Sequence, residues 1–304
     1  MANRDIVVVS SPAQLVCAIE WKKKNPNSTI VVRHTAKKSI IQIENLQKLF
    51  NIEVISIKGF NNLQNFISLV TISLLLLKHS GRLVIGEFDY SRFNKLLCKL
   101  FRNKEKFLID DGFATITFQE KIASAEKNIN LFSFFNFKEK KYENQIILKN
   151  KMTILKRGSK ENNNHAIFIG TDEESKGWIG GPKIYLNHVK QVAALPYIKK
   201  LYYVPKTHGH AFSSELHSQI QQIQNVEILN CEYPIEVHLS QNTDYFEYGF
   251  SHMSTALFSL KELNYIGVPV FITSERIRNH AFINYVHSSA KKYLHNVKFE
   301  QASD

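Results

Sequence analysis

The sequence predicts two α/β domains in tandem, each built on a parallel sheet. Three observations carry that expectation. Short β-branched runs alternate with amphipathic stretches of helical length along most of the chain. The first of these runs, Ile6-Val7-Val8-Val9, is apolar at every position, as a strand covered by helices on both faces must be. A polar, Asn-rich interruption then separates one such series from a second. The length of 304 residues agrees, at roughly 150 residues per domain.

In the first half, the strand Ile6 to Val9 ends at Ser10-Ser11-Pro12, and the helical stretch Ala13 to Lys24 follows. Strands are expected at Thr29 to Arg33, Glu53 to Ile57, Arg82 to Gly86 and Lys106 to Ile109. Helices are expected between them at Ser39 to Phe50, Leu63 to Leu77 and Ser91 to Phe101. From Lys149 to His165 the sequence turns polar, with a Gly, a Ser and three consecutive Asn, so the domain boundary is placed near 160. The alternation then restarts. Strands are expected at Ala166 to Gly170, Lys200 to Val204, Val226 to Leu229, Tyr245 to Phe250 and Val268 to Ile272. Helices are expected at Lys183 to Ala194, Ser213 to Gln224 and Thr255 to Leu263, with a closing helix from Asn279 to Tyr293 that could return to the first domain. Two such halves fit Rossmann-like domains 1–160 and 161–304 facing each other across a cleft, with ligands beyond the carboxyl ends of the strands.

Composition narrows the class. Hydrophobic residues make up 44% and charged residues 22%, which argues against disorder, collagen and a disulfide scaffold. Cys17, Cys98 and Cys231 are widely spaced and odd in number, matching neither a zinc pattern nor a disulfide framework and pointing to a reducing compartment. The 39 Lys and Arg exceed the 27 Asp and Glu by 12, a balance that attracts phosphorylated substrates, nucleic acid or an anionic membrane face. The opening MANRDIVVVSS lacks the long apolar run of a signal peptide. The most apolar stretch, Phe66 to Leu77, has twelve residues where a transmembrane helix needs roughly twenty. A cytoplasmic protein, peripheral at the inner face of the membrane, is the expectation.

Three constellations bear chemistry. Asp110-Asp111-Gly112 leaves a strand at its carboxyl end, and neighbouring side chains there point to opposite faces. One carboxylate can serve as a general base while the other holds the turn, with Gly112 permitting a positive φ; a plain polar turn is the other reading. Lys206, His208 and His210 follow a strand of the second half and suit an anionic leaving group, or form an exposed polar loop. A zinc site is conceivable there, but no cysteine or acidic cluster of ligand spacing accompanies the histidines. Ser254 and Thr255 open a helix, where free N–H groups attract phosphate and where Ser and Thr also serve as ordinary caps. Gly177 to Pro182 is a glycine-rich loop that approaches a ligand or merely turns. No GxxxxGK(S/T) or strand-linked GxGxxG occurs, which argues against P-loop and ordinary nicotinamide enzymes. Nor is there an RNP-like motif or a zinc finger, so no nucleic-acid partner is expected.

Taken together, the order of these motifs resembles bacterial sialyltransferases and polysialyltransferases of capsule and lipooligosaccharide synthesis. Asp110-Asp111-Gly112 matches that family's acidic-acidic-Gly motif, and Ser254-Thr255 its Ser-Ser or Ser-Thr pair. Ile167 to Gly170, Tyr203-Val204-Pro205, Tyr233-Pro234-Ile235-Glu236 and Gly249-Phe250-Ser251 are similar to its second half, and Ser10-Ser11-Pro12 weakly to its start. The family's His-Pro motif is missing: Lys206, Thr207, His208, Gly209 and His210 follow Tyr203-Val204-Pro205, so His208, His210 or Lys206 takes its place.

The resemblance implies a GT-B fold, inverting transfer from a CMP-activated sugar, acceptor bound by the first half and donor by the second. It implies Asp110 as the base, with Asp111 beside it, and His208 or His210 assisting departure of the phosphate. Gly112, Gly170, Lys206, His208, Ser254 and Thr255 would be the donor-binding residues. No cofactor or divalent metal is implied. The partners implied are the CMP-sugar and a glycan or lipid-linked glycan acceptor. The donor stays open between sialic acid and another ulosonic acid such as Kdo, pseudaminic or legionaminic acid. A non-catalytic protein binding an anionic polymer or membrane is the alternative from another class.

Overall fold

A computed structural model describes residues 3–37, 39–120, 128–160, 163–171, 177–206, 214–242 and 244–304. The chain forms two compact units, Met1–Ile154 and Leu155–Asp304.

The first unit runs β1 (Ile6–Val9), α1 (Pro12–Lys24), β2 (Thr29–His34), α2 (Ser39–Phe50), β3 (Ile55–Lys58), α3 (Asn62–Lys78), β4 (Leu83–Ile85), α4 (Arg92–Leu100), β5 (Lys106–Ile109), α5 (Phe113–Glu120), β6 (Ile129–Ser133) and β7 (Ile147–Lys149). Its seven strands lie in the order β3-β2-β1-β4-β5-β6-β7, and every pair is parallel. The helices begin where side chains can satisfy free N–H groups. Ser11 accepts from Gln14 N ahead of α1, Asn61 from Gln64 N ahead of α3, and Ser91 from Asn94 N ahead of α4. One face of the sheet packs Ile72 and Leu76 of α3 and Leu97 and Cys98 of α4 against Ile6, Val8, Ile85 and Leu108. On α1, buried Trp21 has its ring 4.9 Å from Phe107 and 5.3 Å from Phe132. Asp5 anchors the amino edge, accepting from Trp21 Nε1 at 3.1 Å, Arg82 N at 2.9 Å and Arg82 Nη2 at 2.7 Å.

The second unit runs β8 (His165–Ile169), α6 (Pro182–Ala193), β9 (Lys200–Val204), α7 (Ser214–Gln221), β10 (Val226–Ile228), α8 (Ile235–Asn242), β11 (Phe246–Ser251), α9 (Ala256–Glu262), β12 (Ile266–Thr273), α10 (Glu275–Arg278), α11 (Ala281–Tyr293) and β13 (Lys298–Gln301). The order is β10-β9-β8-β11-β12-β13, again parallel throughout. The closing helix buries Ile283, Val286, His287 and Ala290. His287 stands 5.4 Å from Phe271 of β12, and the chain then returns as the edge strand β13.

Several elements differ from expectation. α5, β6, β7, α8, α10 and β13 were not foreseen. β7 is three residues, and β13 (KFEQ) is an edge strand with a single apolar residue. The units divide at 154 rather than near 160, because the polar stretch belongs to the second unit from Leu155 onward. Leu155 is buried, Lys156 N donates to Ser240 Oγ at 2.9 Å, and Gly158 N donates to Leu263 O at 3.0 Å. A Cβ on Gly158 would meet the Asn264 carbonyl at 2.3 Å, so this glycine serves close packing rather than a hinge.

Candidate functional site

In open parallel sheets, ligands bind outside the carboxyl ends of the strands, where the strand order reverses. In the first unit that point lies between β1 and β4. Gln14, in the first turn of α1, crosses it with only 2% of its surface exposed. Its Oε1 accepts from Ser10 N at 2.8 Å. The crossing requires Gly86 at the end of β4, where a Cβ would meet Gln14 Oε1 at 2.2 Å.

Next along the same edge, β5 delivers Asp110 and Asp111 to opposite sides. Asp110 is 2% exposed, and both its oxygens are engaged. Ser133 Oγ donates to Oδ1 at 2.5 Å and Phe134 N to Oδ2 at 2.7 Å, both from the end of β6. Burial pushes its carboxyl up to about 7, although these bonds, the polar side chain of Asn150 nearby and the charge of Lys149 favour the ionised form. Asp110 therefore ties β5 to the start of the next loop.

Asp111 is the accessible one. Its side chain is half-buried, and its backbone N donates to Thr115 Oγ1 at 2.9 Å. Gly112 (φ 61°) turns the chain directly into α5. Burial again lifts the carboxyl to about 7; a hydrogen bond with Gln14 opposes the shift and the negative charge of Glu87 adds to it. Glu87, following β4, is itself raised by burial and held back by Arg33 of β2. A carboxylate in this state is neutral or charged in comparable amounts near pH 7, which suits it to take up a proton. Of the expected pair, geometry favours Asp111 over Asp110 for that work. Gln14, Glu87 and Arg33 escaped the sequence reading. The only signal for Glu87 was its place just after a strand, and Gln14 lay hidden inside a helical pattern.

In the second unit the strand order reverses between β8 and β11. Gly170 N donates to Val204 O at 2.9 Å, and a Cβ there would meet the Tyr203 hydroxyl and Val204 O at 2.8 Å, so β8 ends against β9. Lys206 is exposed just beyond β9. Thr207, His208, Gly209 and His210 lie outside the described residues, as does the Asp172–Lys176 stretch after Thr171. Beyond β11, buried Ser251 shapes the turn: its Oγ donates to Ile169 O at 2.9 Å and accepts from Ser254 N at 3.0 Å. Ser254 and Thr255 are half-buried at the start of α9. Ser254 Oγ accepts from Ala256 N at 3.2 Å, whereas Thr255 makes no capping bond with its side chain. Most N–H groups of this turn are thus satisfied within it, and the two hydroxyls are what it presents.

Under this turn lies a group that sequence reasoning missed. His252 is fully buried, with Nε2 3.0 Å from His188 Nδ1, and its carbonyl oxygen 2.9 Å from His287 Nε2. Burial and the neighbouring imidazoles hold His252 well below the usual histidine range. The three residues are scattered over 99 positions of sequence, with no spacing to betray them.

No protein family and no curated protein matches this chain. Solved structures do match it. An α/β-galactoside α-2,3-sialyltransferase from the luminous marine bacterium Photobacterium phosphoreum aligns over 98% of this chain and 98% of its own, with TM-score 0.60 and 12% identity. The UDP-GlcNAc 2-epimerase of Methanocaldococcus jannaschii aligns over 98% of this chain and 89% of its own, with TM-score 0.57 and 9% identity. That of Neisseria meningitidis, bound to UDP-GlcNAc, aligns over 97% and 86%, with TM-score 0.53 and 11% identity. At these identities the likeness establishes the fold: two parallel-sheet α/β domains of the GT-B type.

Proposed function

We propose that this protein is an inverting glycosyltransferase. In this reading it moves sialic acid, or a related ulosonic acid, from a CMP-activated donor to a glycan hydroxyl in bacterial surface polysaccharide synthesis. The observation that carries the reading is Asp111: a half-buried carboxylate with its pKa near 7, at the carboxyl edge of the first sheet, oriented by Gln14. The fold shared with a sialyltransferase supports it, as does the sequence resemblance.

The chemistry follows from these groups. Asp111 accepts the proton of the acceptor hydroxyl as its oxygen bonds to the anomeric carbon. The bond from that carbon to the phosphate oxygen breaks, and CMP leaves with the electron pair. Asp110 holds the β5 terminus in place through Ser133 and Phe134. In the second unit Lys206 and one of His208 and His210 neutralise the leaving phosphate, and the hydroxyls of Ser254 and Thr255 bind it. A leaving group with one phosphate can be stabilised by such groups without a divalent ion, so transfer should survive excess EDTA.

The test is a thermal-shift series with CMP, CDP, UDP and GDP, joined to an assay of CMP release from CMP-sialic acid. A ligand that binds only the folded state raises its melting temperature. Selective stabilisation by CMP with slow CMP release supports the reading. Selective stabilisation by UDP would move the donor to another class, and no response to any nucleotide would remove the enzyme reading.

A further inference from the structure

The outer face of α3 and α4 is apolar, exposed and free of negative charge. On α3, Leu63, Phe66, Ile67, Val70, Leu74 and Leu77 recur at the three- and four-residue steps that place side chains on one side of a helix. All six point away from the core; Leu63, Phe66, Leu74 and Leu77 are each more than 60% exposed. The opposite side of the same helix supplies Ser68, Ile72 and Leu76 to the interior. α3 therefore carries an apolar stripe on its exposed side as well as apolar residues on its covered one. α4 packs beside it and adds exposed Leu96 and Leu100. A contiguous face of this kind on a folded protein marks an interaction surface.

The charges around it select the partner. Neither helix contains an Asp or a Glu, while Lys78, Arg92, Lys95 and Lys99 all stand exposed on them. A second copy of the chain seated symmetrically on this face would bring these cations against their own counterparts. An anionic surface with an apolar interior meets both requirements. The two helices are held rigidly for that task. Arg33 donates to Asn65 Oδ1 at 2.8 Å and lies 4.1 Å from the ring centre of Phe93, joining the first turns of α3 and α4. α3, at 17 residues and with its inner side committed to the core, lies on such a surface and does not cross it.

We infer that the α3–α4 face docks this protein on a lipid bilayer bearing anionic headgroups, with the α3 leucines and Phe66 seated among the acyl chains and the four cations at headgroup level. The inference does not depend on the transfer chemistry proposed above.

Sedimentation with sucrose-loaded vesicles tests it, using phosphatidylcholine alone and phosphatidylcholine with phosphatidylglycerol. The intact chain should bind the anionic vesicles at low salt and release them as salt rises. Phe66→Ser and Leu74→Ser should each weaken binding about tenfold through lost apolar burial. Arg92→Gln and Lys99→Gln should each weaken it about fivefold, and only on anionic vesicles. These positions are exposed, so melting temperature should hold, and a thermal scan verifies that each variant is folded. Absence of binding to any vesicle, equal binding to neutral and anionic vesicles at every salt concentration, or full binding by the serine variants would each overturn the inference. So would a stable dimer in solution that Phe66→Ser and Leu74→Ser dissociate, since the face would then belong to a second copy.

Discussion

Replacing Asp111 by asparagine keeps the shape of the side chain and removes its ability to accept a proton. If Asp111 is the base, CMP release from CMP-sialic acid should fall by roughly 10²–10⁴-fold, the usual range for loss of a general base. The pH profile is the sharper measure. With the carboxyl near 7, only about one-tenth is ionised at pH 6, so the intact enzyme should run there at about one-tenth of its plateau. Between pH 5 and 6 the rate should climb about tenfold, then level above pH 8. Two neighbours set the position of that limb, and each gives a signed shift. Glu87→Gln removes a negative charge that lifts the carboxyl, so the limb should move to lower pH. Gln14→Leu removes the hydrogen bond that favours the carboxylate, so the limb should move to higher pH. Asp110→Asn is the control: its parent oxygens are engaged by Ser133 and Phe134, so the limb should remain. A limb that vanishes in Asp110→Asn but survives in Asp111→Asn would refute the assignment, as would a flat profile across pH 5–8 in the intact protein.

Three further outcomes are expected. Asp5→Ala leaves Trp21 Nε1 and Arg82 without their common acceptor, which should destabilise the first unit by about 3 kcal/mol and lower its melting temperature by about 6–12 °C, readable by calorimetry. His252, His188 and His287 have their pKa values depressed by burial, so the stability they confer is present above about pH 6.5 and is lost as pH falls below it. His252→Gln should therefore lose less stability than the intact chain between pH 7.5 and 5.5, and an identical loss in both would contradict this. Among alanine variants at Lys206, His208 and His210, the one that lowers kcat more than donor affinity marks the group that stabilises the leaving phosphate. His208 is the expected one, Lys206→Ala should mainly raise the donor KM, and a dead His210→Ala beside a normal His208→Ala would shift the role by two residues.

The sequence by itself determined the fold class, because the β-branched runs and the helical stretches between them are local patterns that each segment carries alone. It also brought Asp110, Asp111 and Gly112 to the end of a strand, since Phe107 to Ile109 is apolar throughout and Gly112 permits the left-handed turn. Only the tertiary structure decided which carboxylate is available. In an extended strand the two side chains point to opposite faces whatever the fold, but which face is sealed depends on β6, whose last residue Ser133 and the following Phe134 close over Asp110. The companions of Asp111 come from α1, β2 and the segment after β4, between 24 and 97 residues away in sequence. A parallel sheet collects them because every strand ends at the same edge. The histidine cluster beneath Ser254 arises in the same way, from α6, α11 and the turn after β11. The boundary near 160 was misjudged for the converse reason: polar composition reports affinity for water, whereas Lys156 and Gly158 are bound to the second unit through backbone groups that composition does not describe. The apolar stretch Phe66 to Leu77 read from sequence as either a buried or a surface-seated helix, because an apolar helix reads the same whether one side or both sides are covered. The six exposed side chains of α3 were identified only once the sheet had taken the other side.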